Sequence, residues 1–187
     1  ILVEGVKALR DTEFVQEGDT ERIQDEGCYP GARLDPITGS ARDRLDQFGT
    51  LGGGNHFLEI VEVDELADET AGSAYELSPG KLGFLIHTGS RGFGHQICVD
   101  YSEKMNGAAG EFGLTFPTSE LASAPIDSDL GQDYLGAMAC AANVAYVNRQ
   151  TITYSIRQAC REIFSDRGHP PTPQPVYDIT HNLARFE

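Results

Sequence analysis

Residues 129–164 read DLGQDYLGAMACAANVAYVNRQTITYSIRQACREIF and form the longest periodic segment of the chain. Apolar side chains recur there at helical spacing, with a skip near Asn148, as on the buried face of an α-helix. The recurring residues are Leu130, Tyr134, Met138, Ala141, Ala145, Ile152, Ile156, Ala159 and Ile163. Asp129 is a suitable N-cap, and Gly168 followed by two prolines would end the segment. The sequence therefore predicts one long helix over 129–164.

Shorter elements are predicted before and after this helix. Alternating apolar and acidic residues predict a strand over 57–63, and an apolar run predicts a second, more buried strand over 81–86. We also expect helices over 41–48 and 94–105 and a last short strand over 176–179. These elements indicate an α+β fold with mixed sheets and helices. With no internal repeat and no linker, residues 1–187 are expected to form one domain.

Composition limits the classes of function. The chain has 187 residues, 40% of them hydrophobic, and a formal net charge of −15. No apolar run is long enough to span a bilayer, so no membrane association is expected. The whole acidic excess lies in residues 1–130, which excludes the uniformly basic surface of nonspecific nucleic-acid binding proteins. Any contact with RNA or nucleotide must be local, through a few arginines and bound metal ions.

The first candidate site motif is Gly52-Gly53-Gly54-Asn55-His56-Phe57-Leu58-Glu59. Glycines let backbone N–H groups approach phosphate oxygens. Asn55, His56 and Glu59 then add an amide, a metal ligand and an acceptor within five residues. The alternative is a flexible turn before a strand, with a histidine of no special role.

Two further motifs place a histidine at the end of a predicted strand. In His87-Thr88-Gly89-Ser90-Arg91-Gly92, the arginine lies among small residues and could bind phosphate bidentately. Asp178-Ile179-Thr180-His181-Asn182 repeats the pattern. Buried structural histidines beside turns are the alternative. Three such histidines together indicate a metal site that handles a phosphorylated substrate, whereas the acidic stretch 25–28 is expected to be a surface loop.

Together these motifs resemble the RtcB family of RNA-splicing ligases, and the resemblance covers nearly the whole chain. The two glycine- and histidine-containing blocks are its most specific part. The matching blocks are residues 49–59, 87–96, 124–128, 131–135 with Ala137-Met138, Asn148-Arg149 and 178–182. Thr88 stands where the family usually has serine, a change that keeps the hydroxyl.

The resemblance implies a ligase that depends on GTP and Mn²⁺ and acts in tRNA splicing or RNA repair. Four cysteines without CxxC spacing separately indicate reduced thiols and a cytoplasmic location. It would join RNA ending in a 2′,3′-cyclic phosphate or 3′-phosphate to RNA with a 5′-hydroxyl. Two Mn²⁺ ions would occupy a complete site, with His56, His87 and His181 among their ligands. The GTP site would comprise Asn55, His56, Phe57, Leu58, Glu59, His181 and Asn182. Arg91 would bind an RNA or transferring phosphate.

The resemblance also implies that residues 1–187 are the central part of an incomplete catalytic domain. The family's Asp-x-Gly-Cys metal motif is expected before Ile1, and its nucleophilic histidine beyond Glu187. No residue of this chain is therefore expected to be the nucleophile, and the chain alone should be inactive. The alternatives are a nucleotide- or metal-binding module without ligase chemistry and a metal-dependent phosphoesterase. The need for an activating protein partner stays open.

Overall fold

A computed structural model describes residues 1–185 of the chain. Four helices and two strands make up its regular structure. They are α1 (Gly39–Arg42), β1 (Phe57–Glu62), α2 (Glu69–Ala74), β2 (Leu82–His87), α3 (Arg91–Ala108) and α4 (Asp129–Ile163). Short 3-10 turns at Gly5–Leu9, Thr20–Arg22, Gln24–Gly27, Leu45–Gln47, Ser119–Leu121 and Ser165–Arg167 connect or flank these elements.

Helix α4 is the axis of the molecule, and its predicted extent is confirmed to within one residue. Its N-cap differs from the prediction: the Ser128 hydroxyl accepts a hydrogen bond from the Gly131 N–H at 3.1 Å. Asp129 is instead the first residue of the helix. Serine one position earlier offers the same acceptor to the free N–H groups of the first turn, so the spacing alone could not separate the two.

The core forms on two sides of α4. On one side α3 contributes Phe93, Ile97, Tyr101 and Met105. Gly94 allows this approach, because a Cβ there would lie 3.2 Å from the Ala141 Cβ and 2.1 Å from the Ser90 hydroxyl. On the other side the N-terminal turns contribute Val6, Ile23 and Tyr29. Helix α4 is therefore buried along most of its length, as its apolar content requires.

Strands β1 and β2 form an antiparallel pair in which Phe57 lies opposite His87. The second strand is the more buried of the two, as predicted, because three of its residues are half-buried and only Phe57 is in β1. Its end packs against the core, where Ile86 contacts the cluster of Ile152, Ile156 and Cys160 on α4. Leu82 and Leu85 are nevertheless 67% and 49% exposed, so the apolar run is buried only in part.

Two other predicted elements differ in the structure. Residues 176–179 form no strand but a single parallel bridge between Ile23 and Asp178. Prolines at 171, 173 and 175 keep this pairing from extending toward the N-terminus, because they lack the N–H that a ladder needs. The helix predicted over 41–48 is split into α1 and a 3-10 turn at Leu45–Gln47.

The α+β class is confirmed, with one two-stranded antiparallel sheet in the described part of the chain. None of the helices within residues 1–185 is both long enough and apolar enough to cross a membrane.

Candidate functional site

The structure brings together the three histidines singled out in the sequence. His87 is the last residue of β2, and His56 lies directly before β1. The ring centres of His56 and His87 are 6.2 Å apart, and those of His87 and His181 are 5.4 Å apart. The antiparallel register brings His56 close to His87, because it places Phe57, the residue after His56, opposite His87.

His181 comes from the C-terminal segment, which lies against the rest of the molecule through backbone and side-chain contacts. The Gln24 N–H donates to the Asp178 carbonyl at 2.9 Å, and the Asp178 N–H donates to the Arg22 carbonyl at 2.9 Å. These bonds bring the segment alongside the turn at Thr20–Arg22 and direct it past β2. Histidines far apart in sequence therefore meet at one end of the hairpin.

His56 is in direct contact with Arg91. The Arg91 Nη1 lies 3.1 Å from the His56 Nδ1. Gly52 makes this possible, because a Cβ at that position would lie 2.0 Å from the Arg91 Nη1 and 2.6 Å from the His56 Nδ1. Burial lowers the pKa of His56 below its ordinary value, and the positive charges of Arg91 and His87 lower it further. The lowered pKa favours the neutral imidazole, which is the form that binds metal.

Arg91 itself has an unusual backbone, with φ of 57° at the start of α3. Left-handed backbone at a non-glycine residue is strained and is concentrated at functional sites. The Arg91 Nε donates to the Thr50 hydroxyl at 3.1 Å, and the Gly92 N–H donates to the Gln47 Oε1 at 3.1 Å. Its guanidinium thus links two of the motifs, while the predicted role in phosphate binding stays a prediction.

The remaining predicted nucleotide-binding residues take different positions around the histidines. The Phe57 ring packs edge-on against His87, with centres 5.1 Å apart. Glu59 shares the Phe57 face of the sheet, whereas strand alternation directs Leu58 to the opposite face. Asn55, in the turn before His56, and Asn182, after His181, are both exposed.

The donor chemistry of the site is that of adjacent imidazoles, one of them held neutral, with a carboxylate on the same sheet face. Such donors are suitable for a divalent transition metal. Within residues 1–185, however, no three His, Cys, Asp or Glu side chains stand close enough together to enclose an ion. The three histidines therefore do not form a closed ligand set among the described residues, and their assignment to a metal stays a prediction.

The acidic stretch 25–28 takes no part in this cluster. Asp25 pairs with Arg185, and the Cys28 thiol lies 3.5 Å from the Val3 carbonyl oxygen. Asp25 and Glu26 both have left-handed backbone, with φ of 55° and 52°. The stretch is therefore only partly at the surface, because Glu26 is exposed whereas Gly27 is buried and Asp25 and Cys28 are half-buried.

Sequence reasoning gave no role to Asn148 and Arg149, which together bond to the second and third motifs and to Gly49 and Thr50, just before the first motif. Both are buried in α4, and their side chains bond to the segments that carry the histidines. The available signal was the break in apolar periodicity near Asn148, where polar side chains enter a buried helix face. Buried polar residues of this kind need partners, and here the partners are the site segments.

Comparison with known proteins gives a consistent result. The family model described as tRNA-splicing ligase RtcB matches residues 1–187. A tRNA-splicing ligase RtcB of Methanococcus maripaludis is 42% identical over all of this chain, and one of Archaeoglobus fulgidus is 39% identical. An RNA-splicing ligase RtcB of Mycobacterium bovis is 44% identical over 90% of the chain. The chain spans 39% of the length of the first two relatives and 38% of the third.

Proposed function

Because this chain belongs to the RtcB family, we propose that it is the central part of the catalytic domain of a GTP- and Mn²⁺-dependent RNA ligase. The ligase would join 2′,3′-cyclic phosphate or 3′-phosphate ends of RNA to 5′-hydroxyl ends. It would act in the cytoplasm, in tRNA splicing or in repair of broken RNA. The relatives' names support the ligase class.

One observation carries the proposal: the rings of His56, His87 and His181 lie in series, at 6.2 Å and 5.4 Å, in a site where His56 is kept neutral. In the proposal these imidazoles hold Mn²⁺. When bound, divalent ions polarise phosphoryl oxygens and lower the barrier to attack. The β1–β2 hairpin fixes the approach of His56 to His87, which makes these two imidazoles a preorganised pair of donors.

The other predicted site residues would bind GTP and RNA. Asn55, His56, Phe57 and Glu59 with His181 and Asn182 would line the GTP site, on the sheet face that presents His87. Leu58 could contribute to this site only through its backbone, because its side chain lies on the opposite face. An aromatic ring and a carboxylate are suitable for stacking on a base and accepting its N–H groups. Arg91 would orient a phosphate, with its Nε already fixed by Thr50 at 3.1 Å.

The test uses the intact protein with Mn²⁺, radiolabelled GTP and a pair of RNAs with a 3′-phosphate and a 5′-hydroxyl. We expect a covalent guanylate adduct and a joined RNA, and we expect His87→Gln to weaken Mn²⁺ binding and abolish joining. His169→Gln is the matched control, because His169 is exposed in the loop after α4 and should change neither. Residues 1–187 alone should form no adduct.

Two results would replace the proposal with the alternatives. Hydrolysis of the cyclic phosphate with no joined product would indicate a metal-dependent phosphoesterase. Binding of Mn²⁺ and GTP by the intact protein with neither reaction would indicate a binding module.

A further inference from the structure

Two neighbouring residues of α4, Asn148 and Arg149, place polar side chains in a buried stretch of the helix. Asn148 is fully buried and Arg149 is 7% exposed. Burial of an amide and a guanidinium is unfavourable unless their polar atoms find partners. All of the hydrogen-bond partners found for these two side chains lie in the three segments 49–59, 87–92 and 178–182.

Asn148 joins the first segment to the second. Its Oδ1 accepts from the Gly49 N–H at 2.8 Å, and its Nδ2 donates to the Thr50 carbonyl at 3.1 Å. The same Nδ2 donates to the Gly89 carbonyl at 3.0 Å. One planar amide thus fixes the backbone before the glycine run relative to the backbone two residues after His87.

Arg149 joins the second segment to the third. Its Nη1 donates to the Thr88 carbonyl at 3.1 Å, next to His87. Its Nη2 donates to the Thr180 hydroxyl at 2.9 Å, next to His181, and its Nε donates to the Asp178 carboxylate at 2.7 Å. The rigid fork of a guanidinium sets these three acceptors at fixed separations, which a single ammonium group could not do.

The connection reaches His56 through Thr50 and Arg91. Asn148 holds the Thr50 backbone, the Thr50 hydroxyl accepts from the Arg91 Nε at 3.1 Å, and the Arg91 Nη1 lies 3.1 Å from His56. Each histidine is therefore linked to α4 by a short series of hydrogen bonds. Because α4 is the most buried element, it is a rigid base for all three.

We propose that Asn148 and Arg149 are positioning residues that set the spacing of His56, His87 and His181 for metal binding. The proposal rests on the proposed function, since it assigns these histidines to Mn²⁺. Residues that orient metal ligands typically contribute about 10- to 100-fold in metal affinity. Neither residue touches the metal or the substrate in this scheme, and their effect is exerted through the segments that they hold.

Helix α4 provides matched controls for a purely structural role. Asn143 is also fully buried and binds loop backbone, with its Oδ1 accepting from the Tyr29 N–H at 2.7 Å. Arg157 is 1% exposed and donates to both carboxylate oxygens of Asp19 at 2.7 Å. Neither control bonds to residues 49–59, 87–92 or 178–182, although the Arg157 Nε also donates to the Pro173 carbonyl at 2.8 Å. The controls therefore have the chemistry and burial of the test residues without their partners.

The experiment measures Mn²⁺ affinity of the intact protein by the loss of the free-ion electron paramagnetic resonance signal, with thermal midpoints as a record of folding. We expect Arg149→Lys and Asn148→Ala to weaken binding about 10-fold or more. Arg157→Lys and Asn143→Ala should lower the thermal midpoint as much or more, with Mn²⁺ affinity unchanged. Equal weakening in both pairs, or none in the test pair, would overturn the proposal.

A metal-free measurement separates this proposal from the proposed function. Imidazole nitrogen shifts of the three histidines are assigned by single His→Gln variants and followed by NMR in metal-free protein. We expect Arg149→Lys to shift the His87 and His181 signals, and we expect Arg157→Lys to leave them in place. The reverse pattern, or no shift with Arg149→Lys, would refute the positioning role of Arg149. If the wild-type protein binds no Mn²⁺, the proposed function fails, and these shifts alone decide whether Asn148 and Arg149 position the histidines.

Discussion

Individual residues set the chemistry of the site through close approach and charge. Gly52 has φ of 99°, and a side chain there would overlap the ends of Arg91 and His56. Gly54 has a comparable φ of 72° but open space where its Cβ would be. Comparing substitutions at these two glycines therefore separates the cost of left-handed backbone from the effect of filling the space between Arg91 and His56.

We predict that Gly52→Ala raises the pKa of His56 and that Gly54→Ala does not. The Arg91 guanidinium must move away from an added Cβ, and its positive charge is one cause of the lowered His56 pKa. Both variants should lose about 1–2 kcal/mol of unfolding free energy, because alanine is disfavoured in the left-handed region. NMR titration of the His56 imidazole and urea unfolding measure the two effects. An unchanged His56 pKa in Gly52→Ala would contradict the role given to Arg91.

The buried pair of Asp19 and Arg157 gives a prediction in pH. Burial by itself raises the pKa of Asp19, but hydrogen bonds from Arg157, the Gln16 N–H and Gln150 lower it below its ordinary value overall. A carboxyl with a lowered folded pKa stabilises the protein above its unfolded pKa, and this stability is lost as pH falls through the folded pKa. Asp19→Asn should therefore cost about 3–5 kcal/mol at pH 7, because Arg157 is left unpaired.

The cost of Asp19→Asn should shrink as the pH falls below the ordinary aspartate value of 3.8, because the unfolded wild-type chain then binds a proton that the folded carboxylate does not. The cost should be smallest once the pH lies below the lowered folded pKa. Urea unfolding between pH 3 and pH 7 measures it. Glu26→Gln is the control, because its pair with Lys7 is exposed and its loss should change stability little at any pH. A cost of Asp19→Asn that is independent of pH would show that packing, not charge, makes Asp19 important.

At the scale of elements, the boundaries of α4 depend on a single hydroxyl. We predict that Ser128→Ala costs about 1 kcal/mol of unfolding free energy, the usual value of an N-cap. Asp129→Ala should cost less, since Asp129 is an exposed first-turn residue that acts only through the helix dipole. Chemical denaturation of both variants makes the comparison. A larger loss for Asp129→Ala would favour the N-cap predicted from the sequence.

The elements also show what the sequence could predict. The helices α3 and α4 and the strands at 57–62 and 82–87 were predictable, because their apolar periodicity is local. The exposure of Leu82 in β2 was not predictable, since it is apolar but has no described segment packed over it. The bridge at Asp178 was also not predictable, because it depends on Ile23, distant in sequence. Likewise the histidines were identifiable by type, whereas their order in space and their links to Arg149 required the three-dimensional structure.

At the scale of the whole molecule, charge determines how RNA could bind. With a net charge of −15, the surface as a whole repels phosphates, and contacts must be concentrated at a few arginines. We predict that Arg91→Ala in the intact protein reduces the slope of log affinity against log salt by about 0.7 for single-stranded RNA, the value for one phosphate contact. Arg167→Ala should leave the slope unchanged, because Arg167 lies in the turn after α4. Binding measured at several salt concentrations tests this, and an unchanged slope for Arg91→Ala would remove Arg91 from the RNA contacts.

The anchoring of every segment on α4 has a consequence for the order of folding. Its polar side chains contact residues that lie 99 positions away at Gly49, 114 away at Tyr29 and 138 away at Asp19. Contacts of such sequence separation close large loops and form slowly, whereas a helix forms from local contacts within about a microsecond. We therefore expect α4 to be protected early in pulsed hydrogen exchange during refolding. The backbone amides of Gly49 and Thr50, held by Asn148, would gain protection only in the last phase.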